Sequence, residues 1–169
     1  DAFGGGNIGA VEISTSGTTE GTLTLGRDLF LEGGFTLLNS GQVAIAGQIT
    51  LDTNQSLPNG GAVYFGSSGL NAGSSISATV PSASLAINTS ASGVGGNVAL
   101  GSVNGSSGSY LASLSIDAGI GSNSSGNVRL NGNITVAGFA GMKLYVVGFK
   151  MGIYGFSASS ISGGSVSNR

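Results

Sequence analysis

Three stretches of the chain share one template, in which a glycine is followed by aliphatic residues two, four, eight and ten positions later. The stretches cover residues 21–31, 41–51 and 126–136. Because side chains alternate between the two faces of a strand, each stretch predicts two short strands with a common apolar face, joined by a three-residue bend. The recurrence of this unit predicts a coiled β architecture.

The composition favours an ordered chain of β-strands and turns. Glycine contributes 33 of the 169 residues, yet 40% of the residues are hydrophobic and only 7% are charged. Disordered segments combine low hydrophobicity with high charge, and this chain has neither property. So few charged residues also leave little material for the solvent face of amphipathic helices. We therefore expect one all-β domain that is long enough to bury a core.

The spacing of the apolar anchors predicts a parallel β-helix, or β-solenoid, with coils of about 20 residues. Leu23, Val43 and Val63 follow one another at equal intervals of that length, and Val98 and Val128 follow at longer intervals. In a solenoid each anchor stacks on its counterpart in the next coil, about 4.8 Å away. The core therefore requires the same positions to recur in every coil.

The longer intervals after Val63 are assigned to inserts at the corners of the coils. These inserts, rich in Ser, Gly and Asn, are Ser67–Ser77 and Gly105–Ser109. A Greek-key β-sandwich is the alternative fold, because short strands with turn signals about every 8 to 12 residues also fit that architecture.

Short alternating runs bounded by Gly, Asn or Asp mark the individual strands. The predicted strands are Val11–Ser14, Thr22–Leu25, Leu29–Leu31, Phe35–Leu38, Gln42–Ile45, Gln48–Leu51, Ala62–Phe65, Ser75–Val80, Ser84–Asn88, Asn97–Leu100, Tyr110–Asp117, Asn127–Leu130, Asn133–Val136 and Lys143–Val147. No helix is predicted.

The C-terminal part of the chain departs from this pattern. Residues 1–138 are predicted to form solenoid coils, and residues 139–169 a terminal coil under a cap, or an interface with another domain or subunit. The stretch Phe139–Phe156 contains five of the eleven aromatic residues, and its two lysines and several glycines make it a poor membrane-spanning helix. Because solenoid ends expose unpaired strands, this end is expected to be capped or joined to another chain. The interface candidates are Phe139, Lys143, Tyr145, Phe149, Lys150, Tyr154 and Phe156.

The phrase Gly-Asn-Val-x-Leu occurs at Gly96–Leu100 and at Gly126–Leu130, where it is followed by Asn131–Gly138. Over roughly residues 20–138 the chain resembles the repeats of bacterial filamentous-haemagglutinin-like exoproteins and autotransporter passengers. The resemblance implies a right-handed parallel β-helix that is secreted from a Gram-negative cell. It also implies a role in adhesion or matrix formation at the cell surface.

Residue types that carry catalysis or bind metals are scarce. The chain has no cysteine and no histidine, so thiolate ligands and the usual general base are absent. Among the seven acids, Asp28, Glu32 and Asp52 lie near predicted corners and are weak candidates for a metal or catalytic site. Solvated corner charges are the simpler interpretation, and we expect no enzymatic activity, no metal and no cofactor.

The glycine pairs do not predict a phosphate site. Gly33-Gly34, Gly60-Gly61 and Gly95-Gly96 are not followed by Lys-Ser/Thr and precede no predicted helix, so they are assigned to turns. Only five Lys and Arg residues occur in the chain, which argues against nucleic-acid binding.

Charge is distributed unevenly along the sequence. Residues 1–117 contain all seven acids and one arginine, a net charge of −6, whereas residues 118–169 contain four basic residues and no acid. In a rod, this polarity favours head-to-tail association of identical subunits into a fibre.

The resemblance, together with the predicted solenoid, thus implies a secreted structural or adhesive module of a bacterial surface exoprotein, located at the cell surface or outside the cell. Its partners would be neighbouring repeats, identical subunits, or host or matrix glycans and proteins, without membrane insertion. A self-assembling filament subunit is the alternative, and a polysaccharide-active β-helix enzyme is the third possibility. The adhesive module would bind its ligand without polymerising, and the filament subunit would form fibres in a concentration-dependent way. The enzyme would cleave a polysaccharide, and Asp52→Asn would abolish the cleavage.

Overall fold

The structure, a computed structural model, describes residues 8–14, 21–38, 40–55, 58–71, 73–103, 111–119, 125–132, 134–135, 142–147, 161–162 and 164–168. Within these ranges the chain forms β-strands and no helix, which confirms the all-β prediction. The strands are β1 (Val11–Ser14), β2 (Gly21–Leu25), β3 (Leu29–Phe30), β4 (Phe35–Leu38), β5 (Ser40–Ile45), β6 (Gln48–Asp52), β7 (Val63–Gly66), β8 (Ser75–Ala78), β9 (Ser84–Asn88), β10 (Val98–Leu100), β11 (Ser113–Asp117), β12 (Val128–Leu130), β13 (Ile134–Thr135), β14 (Met142–Val147), β15 (Ile161–Ser162) and β16 (Gly164–Asn168).

All pairings between the described strands are parallel. Sheet 1 contains β1, β4, β7, β10 and β12 in spatial order, sheet 2 contains β2, β5 and β8, and sheet 3 contains β3, β6, β9, β11, β14 and β16. A further pair joins β13 to β15, and Val103 forms a single parallel bridge with Ile76 of β8. Because Greek-key sandwiches are built from antiparallel strands, the sandwich alternative is wrong.

The chain visits the three sheets in a fixed order. From β1 to β9, consecutive strands belong to sheets 1, 2 and 3 in turn, and each new strand lies beside the previous strand of its sheet. In sheet 3 this progression continues through β11, β14 and β16. The topology is compatible with a β-solenoid.

The register shows that the number of residues between neighbouring strands of one sheet varies along the chain. Leu23 pairs with Val43, the next anchor along the chain, as predicted. Val43 pairs with Ile76 and not with Val63, which instead pairs with Phe35 of sheet 1. The prediction that Val63 is the counterpart of Val43, one 20-residue coil later, is therefore wrong. The connections between strands vary in length, so the spacing of equivalent positions varies with them.

The sequence template marks a local strand–bend–strand unit, and its copies do not all lie in the same sheets. Its copies at residues 21–31 and 41–51 include strands of sheets 2 and 3, whereas the copy at 126–136 includes β12 of sheet 1 and β13. The longer intervals that follow Val63 are confirmed, because Val98 pairs with Val63 on one side and with Val128 on the other.

Alternate side chains of the strands stack in columns inside the fold. In sheet 3, one column is formed by Ile49, Leu85 and Leu114, which pair in register and are at most 3% exposed. One cluster of buried residues includes side chains from all three sheets. Burial of each such aliphatic side chain contributes about 1.5 to 3 kcal/mol, so the stacked columns are the main source of stability.

The strand predictions are confirmed in position, with small shifts at the ends. The predicted strand Tyr110–Asp117 begins at Ser113, and the predictions do not include β15 and β16. The insert predicted at Ser67–Ser77 is too long, because Ser75 and Ser77 belong to β8. The other insert, Gly105–Ser109, lies outside the described residues.

Candidate functional site

The three acidic candidates do not come together as metal ligands. Asp28 is exposed before β3, and its Oδ1 accepts the backbone N–H of Thr50 at 2.6 Å. Glu32 is half-buried after β3, and its backbone N–H donates to the carbonyl of Ile8. Among the described residues, no group of three or more acids forms a constellation that could hold a metal ion. The carboxylate of Asp28 instead supplies a hydrogen bond beside the short strand β3.

Asp52 belongs to a row of similar residues at the end of sheet 3. Asp52, Asn88 and Asp117 pair in register on β6, β9 and β11. The side-chain oxygen of each accepts the backbone N–H two residues later, at 2.9 to 3.1 Å. Asn88 also donates its Nδ2 to Oδ2 of Asp52 at 3.3 Å. The row is a repeated Asx turn that ends each strand, and this accounts structurally for the carboxylate of Asp52.

Buried threonines follow the first two members of this row. Thr53 and Thr89 are both 0% exposed, and their hydroxyls donate to the carbonyls of Gly61 at 2.6 Å and of Gly96 at 2.7 Å. Each bond joins the end of a sheet 3 strand to the glycine that precedes the next strand of sheet 1. This corner was not predicted from the sequence. The available signal was an Asx-Thr dipeptide at the strand end, followed after some residues by Gly-Gly.

The glycine pairs lie at the same corner, one above the other. A Cβ added to Gly61 would meet the backbone of Gly33, one added to Gly96 would meet Gly61, and one added to Gly126 would meet Gly96. Backbone therefore packs directly on backbone from coil to coil, which only glycine permits. These pairs lie in the connections that lead into strands of sheet 1, and the expectation that they bind no phosphate stays a prediction.

The insert between β7 and β8 is hydrogen-bonded to residues in β12 and just after β10 and β12. We call its described residues, 67–71 and 73–74, the strap. The carbonyl of Leu70 accepts Nδ2 of Asn131 at 2.8 Å, and the carbonyl of Ser74 accepts the N–H of Gly101 at 3.1 Å. Ala99 of β10, on the outward-facing side of the strand, is 0% exposed. The strap thus contacts strands one and two coils beyond the one it follows.

Polar side chains on the outer face of sheet 1 form two hydrogen-bonded groups. Asn97 Oδ1 accepts both the backbone N–H of Asn127, at 2.8 Å, and its Nδ2, at 3.1 Å. Asn97 Nδ2 donates to the hydroxyl of Tyr64 at 3.5 Å. Arg129 Nη1 donates to Oδ1 of Asn71 in the strap at 3.1 Å. We call Tyr64, Asn71, Asn97, Asn127 and Arg129 the sheet 1 cluster.

The sheet 1 cluster was not predicted from the sequence. Tyr64 belongs to β7, Asn71 to the strap and Arg129 to β12, whereas Asn97 and Asn127 directly precede β10 and β12. These residues are distant in sequence, and the parallel register places them on one face. The Gly-Asn-Val phrase, which places Asn97 and Asn127 in equivalent positions, was the one available signal.

Most of the predicted interface residues lie outside the described part of the chain. These are Phe139, Phe149, Lys150, Tyr154 and Phe156. Lys143 and Tyr145 lie in β14, in register with Ser113 and Ser115 of β11. Their role as an interface remains a prediction.

Comparison with known proteins gives no relative. No protein-family model, curated protein or solved structure matches this chain. Within the described ranges, there is also no helix with the length and apolarity needed to span a membrane.

Proposed function

We propose that the chain is a β-solenoid module of a secreted bacterial exoprotein, and that it binds through its polar outer faces at or outside the cell surface. The observation that supports this proposal is the parallel register in which β1 to β9 visit three sheets in the same order, and which sheets 1 and 3 continue beyond β9. Sheet 3 alone has six strands, which at about 4.8 Å per strand extend about 24 Å along the stacking direction. A stack of this kind presents long rows of equivalent side chains.

The connections between sheets are consistent with closed coils. The hydroxyls of Thr53 and Thr89 link the ends of sheet 3 strands to glycines that lead into sheet 1. The stacked glycines at this corner keep the connections close together. Closure at the three corners would leave the apolar residues inside and the polar ones outside.

The outer faces have the character of a binding surface built from small polar groups. In sheet 3, the rows that face outward contain Gln48, Ser84 and Ser113, and next to them Thr50, Ala86 and Ser115, all exposed or half-buried. Hydroxyl and amide groups in parallel rows suit ligands that carry many hydroxyls, such as glycans, and polar protein surfaces. This is the chemistry expected of an adhesive module.

Binding assays with the purified chain test the proposal. We expect saturable binding to glycans or to extracellular-matrix proteins on an array, with the ligand left intact and the protein monomeric. The heat-denatured chain, which has the same composition without the faces, should not bind.

Two other outcomes would overturn this function. Concentration-dependent fibres without ligand binding would favour the filament subunit. Cleavage of a polysaccharide that Asp52→Asn abolishes would favour the enzyme.

A further inference from the structure

We infer that the sheet 1 cluster is a binding site for an acidic glycan, in which Arg129 binds the carboxylate of a sugar acid. This inference rests on the proposed adhesive function and names the ligand class for one face. The cluster combines a guanidinium group, two asparagine amides and a tyrosine ring within three neighbouring rungs of sheet 1.

Arg129 is a half-buried cation without a carboxylate partner among the described residues. Its one hydrogen bond goes to the neutral amide of Asn71. A guanidinium group has five N–H donors in a planar fork that matches a carboxylate, so most of its donors are not used by this bond. The bond to Asn71 lies at an exposed position, so the remaining N–H donors are accessible, and an anion that binds there gains a charge-assisted pair of hydrogen bonds.

The asparagine amides are held in place before any ligand binds. Asn97 accepts two hydrogen bonds from Asn127 and donates one to Tyr64. Each amide has two donor hydrogens and an oxygen with two lone pairs, more than these contacts use. Prior fixing of the side chains lowers the entropy cost of binding, so they are suited to hold sugar hydroxyls.

Tyr64 lies on the same outward row as Arg129, two strands away. Ala99 pairs with Arg129 on one side and with Tyr64 on the other, so the two Cα atoms are separated by about 10 Å. Ala99 itself is 0% exposed, so a ligand would contact the half-buried side chains of Tyr64 and Arg129 and not that of Ala99. One sugar ring against Tyr64 and a neighbouring acidic group at Arg129 fit this separation.

The strap forms one border of the cluster and positions the arginine. Arg129 donates a hydrogen bond to Asn71 of the strap, and Asn131 donates one to the carbonyl of Leu70. Both outward residues next to Leu130 are therefore hydrogen-bonded to the strap. An acidic peptide could pair with Arg129 but does not require the amide row and the tyrosine ring. The combination therefore favours a sugar acid over a peptide.

The test uses oligogalacturonate, a uronic-acid oligosaccharide, and its methyl ester, in which each carboxylate is replaced by an uncharged ester that carries one added methyl group. We expect the unmodified protein to bind the acid at least about tenfold more tightly than the ester. Affinity is measured by calorimetry at about 0.15 M salt, because long-range electrostatic attraction is screened at this ionic strength. We expect Arg129→Gln to lose about tenfold in affinity for the acid. Arg27→Gln, at an exposed arginine elsewhere, is the matched control and should bind normally.

Several results would overturn the site. These are equal binding of acid and ester, unchanged binding by Arg129→Gln, an equal loss in Arg27→Gln, or a poly-glutamate peptide bound as tightly as the sugar. The comparison of acid with ester needs no variant, so it holds even if Arg129→Gln fails to fold. Binding of other glycans that does not depend on Arg129 would leave the adhesive function standing and remove this site, whereas absence of all glycan and matrix-protein binding would remove both.

Discussion

Replacement of Gly96 by alanine is expected to destabilise the protein by about 3 kcal/mol or more. An added Cβ would lie 2.5 Å from the carbonyl carbon of Gly61 and 2.8 Å from the carbonyl oxygen of Gly60. Both atoms belong to the backbone, so they cannot rotate away as the end of a side chain would. Relief of the clash would have to separate neighbouring coils and break the hydrogen bonds that join Gly96 to Thr89.

Gly26→Ala is the matched control for this change. Gly26 is exposed, and no atom lies within 4 Å of the Cβ that alanine would add. We expect its effect on the free energy of unfolding, measured by urea denaturation, to stay within about 0.5 kcal/mol. If the two variants were equally stable, the backbone-on-backbone corner would be wrong.

Replacement of Phe65 by alanine is expected to cost about 3 to 5 kcal/mol of stability. Phe65 is 0% exposed, and its ring packs edge-to-face on Phe35 with the centroids 5.8 Å apart. Truncation removes the buried area and the ring contact, and it leaves a cavity that the stacked strands cannot close without losing register. Phe65→Leu, which fills more of that space, should lose less and remain folded if the alanine variant does not.

Phe30→Ala tests the same chemical change at the surface. Phe30 is 55% exposed on β3, so we expect a loss of no more than about 1 kcal/mol in the same denaturation measurement. A loss at Phe30 as large as that at Phe65 would mean that the core is not where the parallel register places it.

The sequence was sufficient to predict local structure, because local structure depends on neighbouring residues. The alternation of apolar residues placed β1 and β4 at their observed bounds, and the absence of helix-forming patterns excluded helices from the prediction. The strand β16 was missed because the segment Gly164–Asn168 contains one apolar residue, Val166, among small and polar ones. Its pairing with β14, not its own pattern, makes it a strand.

The register could not be obtained from the sequence in the same way. Val43 and Val63 have equivalent local patterns, but they lie in different sheets because a strand–bend–strand unit looks alike at any corner. The pairing of strands depends on the number of residues in each connection. The prediction for Val43 and Val63 used a constant interval of about 20 residues, but the connections differ in length. The sheet 1 cluster was missed for the same reason, since only that register places Tyr64 and Arg129 on one outward row.

The parallel register is tested most directly by disulfide formation between pairs of introduced cysteines, because the chain has none of its own. Adjacent strands place Cα atoms about 5 Å apart, within the range of a disulfide. In sheets 1 and 3, the pairs Thr36→Cys/Tyr64→Cys and Thr50→Cys/Ala86→Cys are expected to cross-link on mild oxidation, as detected by mass spectrometry. Thr50→Cys/Leu70→Cys, the pair that coils of constant length would bring together, should remain reduced. Cross-linking of this last pair in place of the first two would contradict the stacked arrangement on which the fold, the corner and the proposed binding face depend.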